Sequence, residues 1–195
     1  MAGASYEVDR GPWSAVPRVR TRLGSAFGLQ KWDYWAVWDD TLLVCLAVTD
    51  EGPIRPSIRY VRRWDAARSI EPVSLVEPFL SEVLQADRAY EAASWRRGGE
   101  RVWFERDGAD LRLRCEGGLI RADLRVYDIE ASEVLDILVP WGPERFQHNV
   151  KAGALQAAGR VEFGGRFHEF QPATTAAALD FGRGRWPAKA WWYWG

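Results

Sequence analysis

From residue 107 to residue 170 apolar and polar positions alternate with a period of two. Leu111, Leu113 and Cys115 alternate with Arg112 and Arg114, and Ala122, Leu124 and Val126 with Arg121, Asp123 and Arg125. This is the pattern of strands with one buried and one wet face. Leu135, Ile137 and Val139 repeat it on a further segment, which Pro140 ends. Asp107-Gly108, Gly117-Gly118 and Gly164-Gly165 separate such runs, and residues that tolerate positive φ make tight hairpin turns. The last pair joins Arg160–Phe163 to Arg166–Phe170. Turn signals about every ten residues indicate an all-β chain, an antiparallel meander forming a barrel or a strongly curved sheet with little helix.

The N-terminal half is less regular. Lys31–Trp38 and Thr41–Val48 read as a hairpin around Asp39-Asp40, and the second arm is apolar enough to be covered on both faces. Ile58 to Val61 predicts a third strand. Ser81–Ser94 fits a short amphipathic helix with Ser81 as N-cap, and equally a strand or a loop. Residues 1–28, with Pro12, Pro17 and Gly24, are expected to wrap the surface, leaving 29–195 as the β domain.

Composition narrows the function classes. The 195 residues suit one domain with a real core, and 47% apolar with 27% charged residues is a globular balance. The net charge of −1 offers no general field for nucleic acid. No apolar run approaches the roughly 18–20 residues needed to span a bilayer, and the first residues lack a signal-peptide pattern. Cys45 and Cys115 both fall in apolar strands, where two buried free thiols are the expectation, and a cytoplasmic location goes with them. No Cys-x-x-Cys, His-Glu-x-x-His, nucleophile elbow or phosphate-binding loop occurs, so neither a metal nor another cofactor is expected.

Tryptophan carries the candidate chemistry. Twelve are present, four of them in the last ten residues, and another cluster lies at Trp32, Trp35 and Trp38. Alternation puts Trp32, Tyr34, Ala36 and Trp38 on one strand face and Asp33, Trp35 and Val37 on the other. An Asp33 carboxyl on an apolar face would favour its neutral form and serve as a general acid. The competing reading pairs Asp33 with an Arg or a turn. In Asp180–Pro187, Arg183 and Arg185 are placed either to clamp an anion or to form a structural pair with Asp180. His148, beside Gln147, Asn149 and Lys151, is either a proton shuttle or a turn histidine.

Four blocks resemble one family: Lys31–Val37, Val139–Gln147, Lys151 with Ala158-Gly159, and Leu179–Pro187 with Trp192 and Trp194. They are similar to the family catalogued as domain of unknown function 2804, and they span most of the chain. The resemblance implies a remote relation to calycin-like and lipocalin-like proteins, including carotenoid hydratases and natural-product cyclases. It therefore implies paired β barrels around an apolar site. Family members usually continue past the Trp-Trp-Tyr-Trp segment, so this chain is expected to correspond to the first half of that architecture.

These lines converge on a hydrophobic or amphipathic small molecule held in a Trp-lined cavity. Its expected walls are Trp32, Trp35, Trp38, Trp141, Trp186, Trp192 and Trp194, with Gln147, Lys151, Arg183 and Arg185 fixing a polar end. An alternative is a cofactor-independent hydratase, isomerase or cyclase acting on a polyene-like substrate with Asp33 or Asp180 as proton donor. A third reading is an interaction module that docks, or self-associates, through its aromatic C-terminal edge. The residues leave open whether any reaction is catalysed.

Overall fold

The structure is a computed structural model that describes residues 29–52, 55–64, 73–74, 81–141 and 145–186. Among the described residues thirteen strands form one continuous sheet in which every pairing is antiparallel. They are β1 (Gln30–Trp38), β2 (Leu42–Asp50), β3 (Ser57–Arg63), β4 (Val73–Ser74), β5 (Glu82–Gln85), β6 (Ala93–Arg97) and β7 (Glu100–Asp107). Then come β8 (Asp110–Glu116), β9 (Ile120–Val126), β10 (Val134–Pro140), β11 (Phe146–Phe163), β12 (Arg166–Phe170) and β13 (Ala176–Arg185). Ser81–Ser94 resolves into β5, a turn and the start of β6, so its apolar residues serve strands.

The strand order is β4-β3-β2-β1-β13-β11-β9-β8-β7-β6-β5. Strands β7 to β9 are the meander read from the turns, and β6 and β5 extend it. The chain then departs from it, because β13, the last strand described, inserts between β1 and β11. β11 makes the sheet curve. Its first part pairs with β10 and β13, and its second part with β9 and β12. Between them the register with β13 shifts at Ala152–Leu155, where Ala154 takes a φ of 57°. A bulge of this kind bends a strand and strengthens its twist, which turns one half of the sheet over the other.

The two halves enclose a packed core. Trp35, Val44, Leu46 and Val48 meet Trp95, Phe104, Leu113 and Leu124 across it, with Leu179 and Phe181 from β13. The period-two pattern puts these side chains on one face, and their burial is the main force holding the curve. Arg59 of β3 is also buried there, bonded to Glu100 of β7 at 2.6 Å. Cys45 and Cys115 are both free and buried, and burial pushes the Cys115 thiol up to about 12.

The β1–β2 turn shows how sequence fixes a hairpin. Asp39 Oδ1 accepts the amides of Thr41 and Leu42, each at 2.8 Å, and Oδ2 lies 2.7 Å from His168 Nε2 of β12. Partial burial disfavours the Asp39 carboxylate, but the amides and His168 outweigh it and hold its carboxyl below the usual range. A lowered folded value makes this contribution present above the unfolded value of about 3.9 and lost as pH falls through the folded one. Asp39→Ala is expected to cost about 1–2 kcal/mol in urea unfolding at pH 7. The cost should shrink below pH 4, and a variant equally destabilised at pH 3 and pH 7 would contradict this account.

Candidate functional site

Register sorts the side chains of the first half of the sheet into two faces. On the outer face, away from the core, Leu135, Lys151, Asp180 and Tyr34 form one row across β10, β11, β13 and β1. Ile137, Asn149, Gly182 and Trp32 form the next row, and Val139, Gln147 and Gly184 a third. The apolar alternation on β10 thus points outward: Leu135, Ile137 and Val139 are 56%, 39% and 38% exposed. With Trp141, Gln147, Asn149 and Lys151 they line a hollow of about 260 Å³. A second hollow of about 340 Å³ is lined by Tyr34, Lys151, Ala152, Gly153, Ala178, Leu179 and Asp180. Lys151 borders both, so the two hollows adjoin on this face, and together they are called the groove.

Hydrogen bonds within and between strands fix the polar groups of this groove. Lys151 Nζ donates to Asp180 Oδ2 at 3.0 Å, and Trp32 Nε1 donates to Asp180 Oδ1 at 3.1 Å. Gln147 Nε2 donates to Asn149 Oδ1 at 2.7 Å, and Trp186 Nε1 donates to Gln147 Oε1. Trp32 and Trp186 meet edge to face at 6.3 Å. The Trp32 indole lies over Gly182, where any Cβ would overlap the ring, so a glycine on β13 is what lets the indole lie flat on the sheet. Tyr34 Oη donates to Cys45 Sγ at 2.8 Å, and burial pushes its phenol above the ordinary value, so it stays protonated.

The inner face holds residues that sequence reasoning also assigned to the site. Asp33 and Arg183 are buried together, Arg183 Nη2 donating to Asp33 Oδ2 at 2.9 Å. Gln85 Nε2 reaches the same oxygen at 2.7 Å and the Val48 carbonyl at 3.0 Å. Burial pushes the Asp33 carboxyl above its usual range, and the Arg183 guanidinium opposes that shift. The pair sits on the opposite face from Trp32, so Asp33 does not face the groove and Arg183 is engaged with it rather than with Asp180. Trp35 is buried in the core with Tyr90 at 6.1 Å. His148 is buried within strand β11, Nε2 lying 2.7 Å from Asp136 Oδ1, which corrects its reading as a turn histidine.

Trp38 shares the outer face but sits six residues along β1 from Trp32, about 20 Å away at strand spacing. Arg185 is half-buried opposite Phe146. Trp192 and Trp194, and the C-terminal edge expected to self-associate, lie outside the described residues, as do residues 1–28. The structure therefore brings together Trp32, Trp141, Gln147, Lys151, Asp180 and Trp186. It adds Tyr34, Asn149 and the β10 strip, which sequence reading did not assign to the site. Their signal was an apolar alternation whose intervening Asp136 has a buried histidine partner, so that the acid faces inward. Among the described residues no three His, Cys, Asp or Glu lie where they could hold a metal ion, and no helix is long and apolar enough to cross a membrane.

This curved sheet is shared with solved structures. CghA crystallised with Sch210972 superposes with a TM-score of 0.52 at 12% identity, covering 81% of this chain and 46% of that one. A second CghA crystal structure gives 0.51 at 13%, covering 83% and 46%. A Nitrosomonas europaea protein provisionally assigned as AttH gives 0.45 at 16%, covering 92% and 58%. The chain thus spans about half the length of the structures it matches. No curated protein matches its sequence. The family model described as domain of unknown function 2804 matches residues 8–195, and the chain belongs to that family.

Proposed function

We propose that the outer groove binds a hydrophobic or amphipathic small molecule. The observation that carries this reading is the β10 strip. Leu135, Ile137 and Val139 are held wet beside Trp141 in a hollow whose far side is polar. Apolar surface left in water costs about 25 cal/mol per Å², which a ligand's apolar body would recover. Mostly apolar lining with a few placed polar groups is the usual composition of a small-molecule site. CghA, which shares the fold, is crystallised with Sch210972, and that supports the reading by analogy of fold. The two buried thiols suit a reducing, cytoplasmic setting.

Native mass spectrometry of the chain purified from its own source, with solvent extraction, tests the proposal. A stoichiometric apolar compound should travel with the wild-type chain and be lost from Ile137→Asn. That substitution removes the centre of the strip and is expected to weaken binding at least tenfold, about 1.4 kcal/mol. Because Ile137 is part-exposed, unfolding free energy should change by less than about 1 kcal/mol. A compound retained equally by Ile137→Asn would place the ligand elsewhere.

A further inference from the structure

We infer that the groove selects neutral amphipathic molecules whose head carries a hydrogen-bond acceptor and donor on adjacent atoms, such as an amide or a hydroxy-carbonyl. This inference rests on the groove reading above and concerns the chemistry of the ligand's polar end. A body lying on the β10 strip meets its first charged groups where the two hollows join. There the Lys151 ammonium and the Asp180 carboxylate stand 3.0 Å apart. They are cross-strand partners on β11 and β13, so the sheet register sets their spacing. Trp32 holds Asp180 from the other side, which fixes the carboxylate's orientation. The two side chains are 41% and 37% exposed, so both present an edge to the groove.

One cation and one anion at hydrogen-bond distance form a neutral pair with a strong local dipole. An anionic head gains from Lys151 and is repelled by Asp180 at almost the same distance, and a cationic head meets the reverse. A neutral head with adjacent acceptor and donor satisfies both, its oxygen toward the ammonium and its N–H or O–H toward the carboxylate. Among the described residues, every other one lining the two hollows is uncharged. Tyr34 directs its phenol proton to Cys45, and the Gln147 and Asn149 amides bond to one another. Lys151 and Asp180 therefore set the preference.

The test titrates decanamide, decanoate and decyltrimethylammonium into the full chain and follows quenching of tryptophan fluorescence. Decanamide should bind at least tenfold more tightly than either ion, with all binding weakened by Ile137→Asn. Asp180→Asn should shift the ranking toward decanoate, and Lys151→Met toward the quaternary ammonium, each by at least tenfold relative to the amide. A purely structural role for the pair would weaken all three probes together and is thereby excluded by such opposite shifts. An ion that binds the wild-type chain as tightly as decanamide overturns the head-group inference and leaves the groove reading standing. Absence of quenching by all three probes, or binding that Ile137→Asn leaves intact, overturns both.

Discussion

Arg183→Met is expected to cost about 3–5 kcal/mol of unfolding free energy at pH 7. The guanidinium is buried and bonds at once to Asp33 Oδ2, to the Trp32 and Gly182 carbonyls at 2.9 and 2.8 Å, and to the Ala86 carbonyl at 2.6 Å. It ties β1 and β13 to the segment that follows β5. Methionine fills much of the volume but leaves a buried carboxylate without its cation and takes a donor from three carbonyls. Removing one partner of a buried pair costs far more than the pair contributes, because the orphaned charge remains. Asp33→Leu combined with Arg183→Met should therefore recover part of the loss, a non-additivity that urea unfolding of the four proteins measures.

The same variant carries a pH signature. Without Arg183, desolvation is left to raise the Asp33 carboxyl further above the unfolded value of about 3.9. A group raised in the folded state favours folding most below its unfolded value, and that advantage is lost as pH rises through the folded one. Arg183→Met should thus be least destabilised near pH 4 and most destabilised at neutral pH and above. A loss below 1 kcal/mol at pH 7, or one independent of pH, would show that the pair does not tie β1 and β13 to the segment that follows β5.

Gly159→Ala is the second large effect, expected at about 3 kcal/mol. Gly159 sits in β11 between Leu124 of β9 and Phe170 of β12, with a φ of 131° that L side chains rarely adopt. A Cβ there would collide with the Asp123 carbonyl oxygen and come within 2.8 Å of Leu124 Cα, both backbone, so no side-chain rotation relieves the clash. Gly153 on the same strand is the internal control. A Cβ at that position would meet no atom within 4 Å, and the backbone there has no positive φ. Gly153→Ala should therefore change stability by less than about 1 kcal/mol and in the favourable direction. Equal losses at both positions would mean that strand propensity, rather than the close approach to β9, governs this strand.

The sequence by itself determined several of the strands. Side chains alternate at every residue of an extended chain, so the period-two runs at 111–115 and 120–126, the turns at Gly117-Gly118 and Gly164-Gly165, and the Asp39-Asp40 hairpin were legible locally. So was the division of β1 into one face with Trp32 and Tyr34 and another with Asp33 and Trp35. Alternation cannot say which of two aromatic faces is wet, because both are apolar enough to bury. That choice was made by partners distant in sequence: Arg183 draws Asp33 inward, His148 draws Asp136 inward, and the β10 aliphatics are turned out in consequence. Only the tertiary structure decided that Lys151 pairs with Asp180, since their meeting depends on β13 inserting between β1 and β11, a long-range register that no local pattern encodes.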